Sequence, residues 1–303
     1  MYSEAHDELI DGRSVLCVVI LYYPSKSDWI HVDKVIQQVN KVLLLDNTPG
    51  ADIRNEPTLN AVNDNICYHK FGENKGIGYA LNFAANYAIE RGFTWLLTMD
   101  QDSELPEQYI DSMFKVLNLY PNPDEVDMLC PSIGSKKNVD PKNWERVNRA
   151  ITSGTLMRIE MFEKIGLFNE YLFIDYVDFD YCLRARAAGS VILQLPWLHL
   201  KHTIGSPTEI NIIFGVLKTL NHSPVRRYYK FRNRIWMTKK YFSHYPAWIL
   251  HEFLAGFYEV AKIMMFESQK MSKIHMIIRG TIDGIIGRLG PYLTGESSDD
   301  GGA

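Results

Sequence analysis

Apolar residues in the first hundred positions of this chain fall into short unbroken runs separated by polar turns. The run Val15 to Tyr23 (VLCVVILYY) is continuous and rich in β-branched residues, the pattern of a strand buried on both faces of a parallel sheet. Pro24 and Ser25 end it, and a helix is expected over Ile30 to Val39. A second buried strand, Val42 to Leu45, stops at Asp46-Asn47-Thr48-Pro49-Gly50, which is strong turn chemistry. Ile66 to Phe71 reads as a third strand, followed by a glycine-bearing loop over Gly72 to Gly78. From Ile77 the spacing of Ala80, Leu81, Ala84, Ala85, Ala88 and Ile89 is helical, and Gly92 suits the position just past a helix end. Phe93 to Met99 is a fourth buried strand. Strand and helix alternating at this spacing predict a mostly parallel α/β sheet, in which ligands sit beyond the carboxyl ends of the strands.

Past residue 125 the rhythm changes. Short strands are expected at Met128 to Ile133, Ile151 to Met157, Val191 to Leu195 and Leu198 to Thr203. Helices are expected at Glu160–Ile165, Val177–Ala188, Pro224–Tyr241, Pro246–Phe266 and Lys273–Ile286. The pattern therefore divides the chain into an α/β domain over 1–205, a helical region over 206–290 and a disordered tail over 291–303.

Charge sharpens this division. Residues 201–290 hold 14 Lys and Arg against 5 Asp and Glu, a net of +9, whereas residues 1–200 carry a net of −10. An acidic front and a basic back point to two jobs. The whole chain of 303 residues has a net charge of −4, which argues against a general nucleic-acid binder. Cys17, Cys67, Cys130 and Cys182 are too scattered for a zinc site and fit a reducing compartment. The acidic start at Glu4, Asp7 and Glu8 is unlike a secretory leader, and no apolar run reaches the length of a membrane span, so a cytoplasmic location is expected.

Two acidic clusters carry the candidate chemistry. Asp100-Gln101-Asp102 closes the fourth buried strand. On an extended chain i and i+2 share a face, so two hard carboxylates could approach one Mg²⁺ or Mn²⁺. The alternative is a solvated loop with a helix cap ahead of Pro106. The second cluster is Asp175, Asp178 and Asp180, set among aromatic residues. Mutual repulsion and partial burial favour a raised carboxylate pKa, which suits a general base. Asp180 stands four residues before Arg184, an ordinary intrahelical ion pair, and Asp175 falls where a helix cap would. Asp178 has neither explanation and is the favoured base. Weaker signals are Asn74-Lys75-Gly76-Ile77-Gly78 at a helix start, as an anion site or a plain cap, and Ser153-Gly154-Thr155, as a bulge or close approach. His202 is either structural or a metal ligand.

Together these segments resemble glycosyltransferase family 2, inverting enzymes of the GT-A fold, and within it the bacterial rhamnosyltransferases of surface polysaccharides. The resemblance rests on VVILYYP, LLLDNTP, ENKGIGYALNFA, LLTMDQDS, SGTLMR, FIDYVDFDYCLRARAAG, HTIG and YYKFRNR, in this order, from about Val15 to about Gly290. It implies a Rossmann-like nucleotide-binding sheet with a helical C-terminal extension. It also implies that Tyr22, Tyr23, Pro24, Asp46, Asn74, Lys75, Gly76 and Asp100 line the donor pocket. Asp100, Asp102 and His202 would meet a divalent metal, and Asp178 would be the base. The family's usual pair of adjacent acids is broken here by Val177. The Q-x-x-R-W motif of processive synthases is absent, which implies one sugar, or a few, per encounter. The implied donor is dTDP-L-rhamnose, and the implied acceptor a saccharide or lipid-linked saccharide.

A sugar-phosphate nucleotidyltransferase is a rival reading, but it needs a glycine-rich basic loop where this chain has Tyr22-Tyr23-Pro24. A non-catalytic saccharide-binding or assembly subunit is another. In the helical region, Trp248 to Phe266 confines its polar residues His251, Glu252, Glu259 and Lys262 to about a 100° sector. The remaining circumference must be covered by the core, by a second subunit in a homodimer, or by lipid. The basic charge favours docking on an anionic membrane surface, peripherally on the inner face of the plasma membrane.

Overall fold

A computed structural model describes residues 14–25, 28, 34–50, 65–132, 139–202, 208–212, 215–219 and 221–292. Contacts divide the chain into two units, one of Met1–Glu170 with Tyr176–Ser206 and one of Tyr171–Asp175 with Pro207–Ala303.

The first unit is built on an eight-stranded sheet of order β3-β2-β1-β4-β8-β6-β9-β7. Its parallel half comprises β1 (Val15–Leu21), β2 (Lys41–Asp46), β3 (Ile66–Lys70) and β4 (Trp95–Asp100). Leu43, Leu44, Leu45, Leu96 and Leu97 are fully buried, as unbroken apolar runs in a covered sheet require. After the two-residue strand β5 (Ser103–Glu104) the order turns mixed. β6 (Val126–Ser132) runs parallel to β9 (Val191–His199), while β7 (Glu145–Arg146) and β8 (Thr155–Arg158) are antiparallel to their neighbours.

Helix α1 (Ile77–Glu90) covers β1 and β4 with small residues, Ala80, Ala84, Ala85 and Ala88, which let the helix approach closely. It ends as the glycine spacing predicts. Gly92 takes φ 70°, its N–H bonds Ile89 O, and the Phe93 N–H bonds Ala88 O, which is a Schellman cap. Helix α2 (Tyr109–Leu119) was not expected from the sequence, although its buried residues Tyr109, Ile110, Met113, Phe114, Val116 and Leu117 repeat helically. Helices α3 (Glu160–Ile165) and α4 (Val177–Ala187) lie where they are expected.

Of the helix expected over Ile30 to Val39, residues 34–36 are helical and 37–38 turn out of it, while 29–33 lie outside the described residues. Two expectations need correction. The strand expected from Ile151 begins only at Thr155, because Gly154 turns the chain at φ 74°. The two strands expected around Pro196 are one, β9, followed by β10 (Lys201–His202). Pro196 is tolerated because pairing with β6 jumps from Leu195 to His199, so no ladder bond is lost at the proline. The four cysteines are free, and burial raises the thiol pKa of Cys17, Cys130 and Cys182, which leaves them unreactive.

The second unit holds a hairpin, β11 (Thr208–Ile212) with β12 (Gly215–Thr219), that the sequence reading did not place. Three helices follow: α5 (Pro224–Tyr241), α6 (Pro246–Phe266) and α7 (Lys270–Ile286). Ser223 caps α5 through the Arg226 N–H, with Pro224 at the first helical position. α5 and α7 run parallel and nearly touch backbone to backbone. Gly280 lies against the Tyr228 carbonyl, and Gly284 against the Arg232 carbonyl and Ile235. α6 runs antiparallel to α5 and is held by ion pairs, Glu259 to Arg227, Lys230 and Arg234, and Glu252 to Arg234. Glu267 is buried between Arg227 and Lys273, at 2.7 and 2.8 Å. The terminal stretch 293–303, most of the expected tail, lies outside the described residues.

Inside this unit the segment 171–175 is held in an unfavourable conformation. Phe173 and Asp175 both take positive φ, 66° and 62°, a cost of about 1–3 kcal/mol each. The fully buried Asn233 offsets it by donating to the carbonyls of Leu172, Ile174 and Asp175 at 2.8–2.9 Å, and Arg232 adds bonds to Tyr171 and Leu172. The YYKFRNR motif is therefore a clamp on this segment.

The same unit sets a pH response. Burial, followed by the positive charges of Arg226 and Arg227, pushes the His222 imidazole down to about 4. The unfolded chain takes up that proton near pH 6.5. Stability that is complete above about pH 6.5 is thus lost as the pH falls toward about 4. Urea unfolding midpoints measured across this window should fall less steeply for His222→Gln than for the parent. Equal slopes would show that His222 does not contribute.

Candidate active site

The site is assembled at the carboxyl ends of β2, β1 and β4. Leu21 is in register with Asp46, and Ile20 with Asp100, so three strand ends stand in a row at the usual spacing of about 4.8 Å. The loops that leave them are tied together by side chains. Gln101 Oε1 accepts the Tyr22 N–H at 2.6 Å, and its Nε2 donates to the Tyr22 carbonyl at 3.3 Å. Thr48 Oγ1 accepts the Tyr23 N–H at 2.8 Å. The buried Asp46 accepts from the Thr48 N–H at 2.8 Å and from Tyr68 Oη at 2.7 Å. Tyr22 and Tyr23 are exposed and meet edge to face at 4.8 Å, with Pro24 buried behind them. Gln101, Thr48 and Tyr68 were missed by the sequence reading, since their bonds run between strands.

The loop before α1 joins this row. Asn47 Oδ1 accepts the Lys75 N–H at 3.0 Å, and Asn47 Nδ2 donates to the Gly76 carbonyl at 3.1 Å. Asn74 Oδ1 accepts the Gly76 N–H at 3.0 Å, and Lys75 pairs with Glu73. Gly76, at φ 84°, caps α1 without a side-chain bond, so the first N–H groups of the helix remain suited to an anion. Gly78 has a different task. A Cβ there would lie 3.0–3.1 Å from the Glu170 Cα and the Asn169 carbonyl, so this glycine serves packing.

The Asp100-Gln101-Asp102 triplet is not extended. Asp100 ends β4, and the chain turns through Gln101 and Asp102 before β5, so the shared-face argument for i and i+2 does not apply. The turn is braced from beneath by Ser153, whose Oγ accepts the Asp100 N–H at 3.1 Å and shares a 2.8 Å bond with Ser103. Close approach explains Gly154, where a Cβ would stand 2.7 Å from Tyr109 Oη. β10 pairs antiparallel with β5 and sets His202 opposite Ser103, next in sequence to Asp102. Carboxylates are hard oxygen donors of the type that Mg²⁺ and Mn²⁺ take. Among the residues whose side chains are described, which do not include His202, no group of three His, Cys, Asp or Glu could hold a metal.

Asp178 is the second residue of α4, in its first turn. Tyr176, at φ 66°, starts that helix without a side-chain cap, and Asp178 Oδ1 accepts the Phe179 N–H at 2.9 Å. A carboxylate is favourable at a helix N-terminus. Its neighbours are structural. Asp180 is fully buried and bonds Arg184 at 3.0 Å, as the i,i+4 spacing predicts, and Arg184 also donates to the Ile165 and Leu167 carbonyls. Val177 is buried. Asp175 belongs to the second unit, where it pairs with Arg226 at 3.3 Å. A cleft of about 430 Å³ between β3 and α1, lined by His69, Phe83 and Tyr87 among others, contains none of the expected site residues.

The sequence profile described as Glycosyl transferase family 2 matches residues 29–186, just over half of the chain. A dTDP-rhamnosyl transferase, RfbF of Shigella flexneri, is 26% identical over 301 residues, covering 92% of this chain and 98% of the relative. The low-salt glycan biosynthesis hexosyltransferase Agl10 of Haloferax volcanii is 25% identical over 300 residues, covering 91% and 92%. Among solved structures, S. aureus TarS 1-349 aligns with a TM-score of 0.48 at 12% identity, over 91% of this chain and 72% of that one. The nucleotidyltransferase and non-catalytic readings fall with the family match. The chain belongs to glycosyl transferase family 2 and is a glycosyltransferase.

Proposed function

We propose that this enzyme transfers L-rhamnose from dTDP-L-rhamnose to a saccharide or lipid-linked saccharide of a surface polysaccharide, with inversion at the anomeric carbon. The observation that carries the reading is the row of strand ends holding Asp46, Tyr22, Tyr23 and Asp100 beside the open N-terminus of α1. Two exposed tyrosine rings suit a planar base, and uncapped helix N–H groups suit a diphosphate. The donor assignment draws on the dTDP-rhamnosyl relative, which aligns along nearly its whole length.

In the reaction, the acceptor hydroxyl oxygen attacks the anomeric carbon. Its proton passes to Asp178, and the bond between that carbon and the diphosphate oxygen breaks, its electron pair leaving with dTDP. A single displacement inverts the centre and needs no glycosyl-enzyme. A divalent ion held at Asp100 and Asp102, with His202 as a further ligand, would supply neutralising charge to the leaving diphosphate. Asn74, Lys75 and Gly76 line the donor side of the pocket, and Pro24 backs the tyrosines.

A product assay with dTDP-L-rhamnose and UDP-hexoses tests the donor. Transfer from dTDP-L-rhamnose is expected, and transfer from UDP-hexoses alone would reject it. For the metal, Asp100→Ala and Asp102→Ala should each weaken Mg²⁺-dependent binding of dTDP by about tenfold in titration calorimetry, since each removes a hard oxygen. Unchanged metal-dependent affinity in both variants would make the pair structural.

A further inference from the structure

Helix α6 is turned opposite to the way water would turn it. An amphipathic helix ordinarily buries its apolar stripe and exposes its charges. In α6 the acids face inward, Glu252 and Glu259 reaching the arginines of α5. Leu250, Phe253, Leu254, Phe257, Tyr258 and Met265 face outward, each more than half exposed. At 100° per residue these positions form a continuous arc of about 140° along the whole helix. α7 adds Ile278, Ile282 and Ile285, also more than half exposed. So much exposed apolar surface marks a surface that is covered in use.

Charge identifies the cover. Residues 221–292 hold 12 Lys and Arg and 4 Asp and Glu, a net of +8. All four acids are turned inward and engaged: Glu252 and Glu259 with α5, Glu267 with Arg227 and Lys273, and Asp283 with Tyr228 and Arg288. The charges left at the surface are positive, among them Lys239, Lys240 and Lys270. A second copy meeting it through the same face would press like charge on like charge. An anionic surface with an apolar interior accepts both the arc and the cations, and none of the described helices is long and apolar enough to cross a membrane.

We infer that the α6 arc, together with the exposed cations of the same unit, seats the enzyme on the surface of an anionic lipid bilayer, lying in the interface without spanning it. The inference does not depend on the choice of donor, and its test uses neither nucleotide nor acceptor.

The test is co-sedimentation of the full chain with vesicles of phosphatidylcholine alone or with about a third phosphatidylglycerol, at low and high salt. Binding should be at least about tenfold stronger on the anionic vesicles and should weaken with salt. Phe253→Asp with Phe257→Asp, checked for native circular dichroism, should abolish it. Lys239→Gln with Lys240→Gln should lower it by on the order of 25-fold, about fivefold for each cation lost. The second pair keeps the test decisive should the first fail to fold. Three results would overturn the inference: no vesicle binding, binding indifferent to lipid charge and salt, or a dimer in sedimentation velocity that the phenylalanine variant splits and that never binds vesicles.

Discussion

Asp178→Asn is expected to lower the transfer rate by a factor on the order of 10² to 10⁴ while donor affinity stays nearly constant. The substitution keeps the shape of the side chain and its carbonyl oxygen, so the Phe179 N–H retains an acceptor and α4 keeps its first turn. It removes the ability to take a proton. An acceptor hydroxyl is a weak nucleophile near neutral pH, and without a base its oxygen must carry the proton into the attack. The loss should therefore fall on kcat, and calorimetric binding of dTDP should match the parent. Asp180→Asn supplies the contrast. Its carboxylate is buried on Arg184, so that variant should lose stability before it loses chemistry. Near-parental turnover in Asp178→Asn would remove Asp178 from the mechanism.

Gly280→Val is expected to destabilise the helical unit by about 3 kcal/mol, near the upper end of ordinary overpacking. α5 and α7 approach so closely here that a Cβ at 280 would enter the Tyr228 carbonyl, which is backbone and cannot rotate away. Relief requires the helices to part. Parting them would disturb the bond from Tyr228 Oη to Asp283 at 2.7 Å and the nearby packing of Gly284 on Arg232. Arg232 and Asn233 then lose their register on the strained 171–175 segment. The lowest thermal transition should fall by roughly 12–24 °C, the shift for a unit of about 100 residues. An unchanged transition would mean that the helices are less tightly packed than the glycines indicate. Gly287→Ala is the milder control, because its φ of 80° is strained for alanine but no atom lies within reach of a Cβ.

The parallel half of the sheet was legible because its strands are unbroken apolar runs with polar turns at their carboxyl ends. VLCVVIL, VLLL and WLLTM could not face water on either side, and Asp46 and Asp100 follow directly. The i,i+4 spacing identified the Asp180 and Arg184 pair, and helical periodicity identified α5, α6 and, apart from its first turn, α7. The β11 and β12 hairpin was not legible, since its strands are short and their partners are each other. Nor was the single β9 across Pro196, because the gap in pairing that admits the proline is a property of β6.

Local pattern thus determined the elements, the acidic clusters and the membership in a family of sugar transferases. A residue's own neighbours in sequence suffice for these, because periodicity and turn chemistry act over a few positions. Tertiary structure decided the rest. It set Gln101 and Thr48 as the ties between strand ends and showed that the acid triplet turns instead of staying extended. It assigned Gly78 to packing and made Asn233 the clamp on a strained segment. It also decided which side of α6 faces out. The helical wheel shows two faces of that helix, but the arginines of α5 draw in its acids. That choice rests on charges some 20 to 30 residues away along the chain, which no local pattern contains.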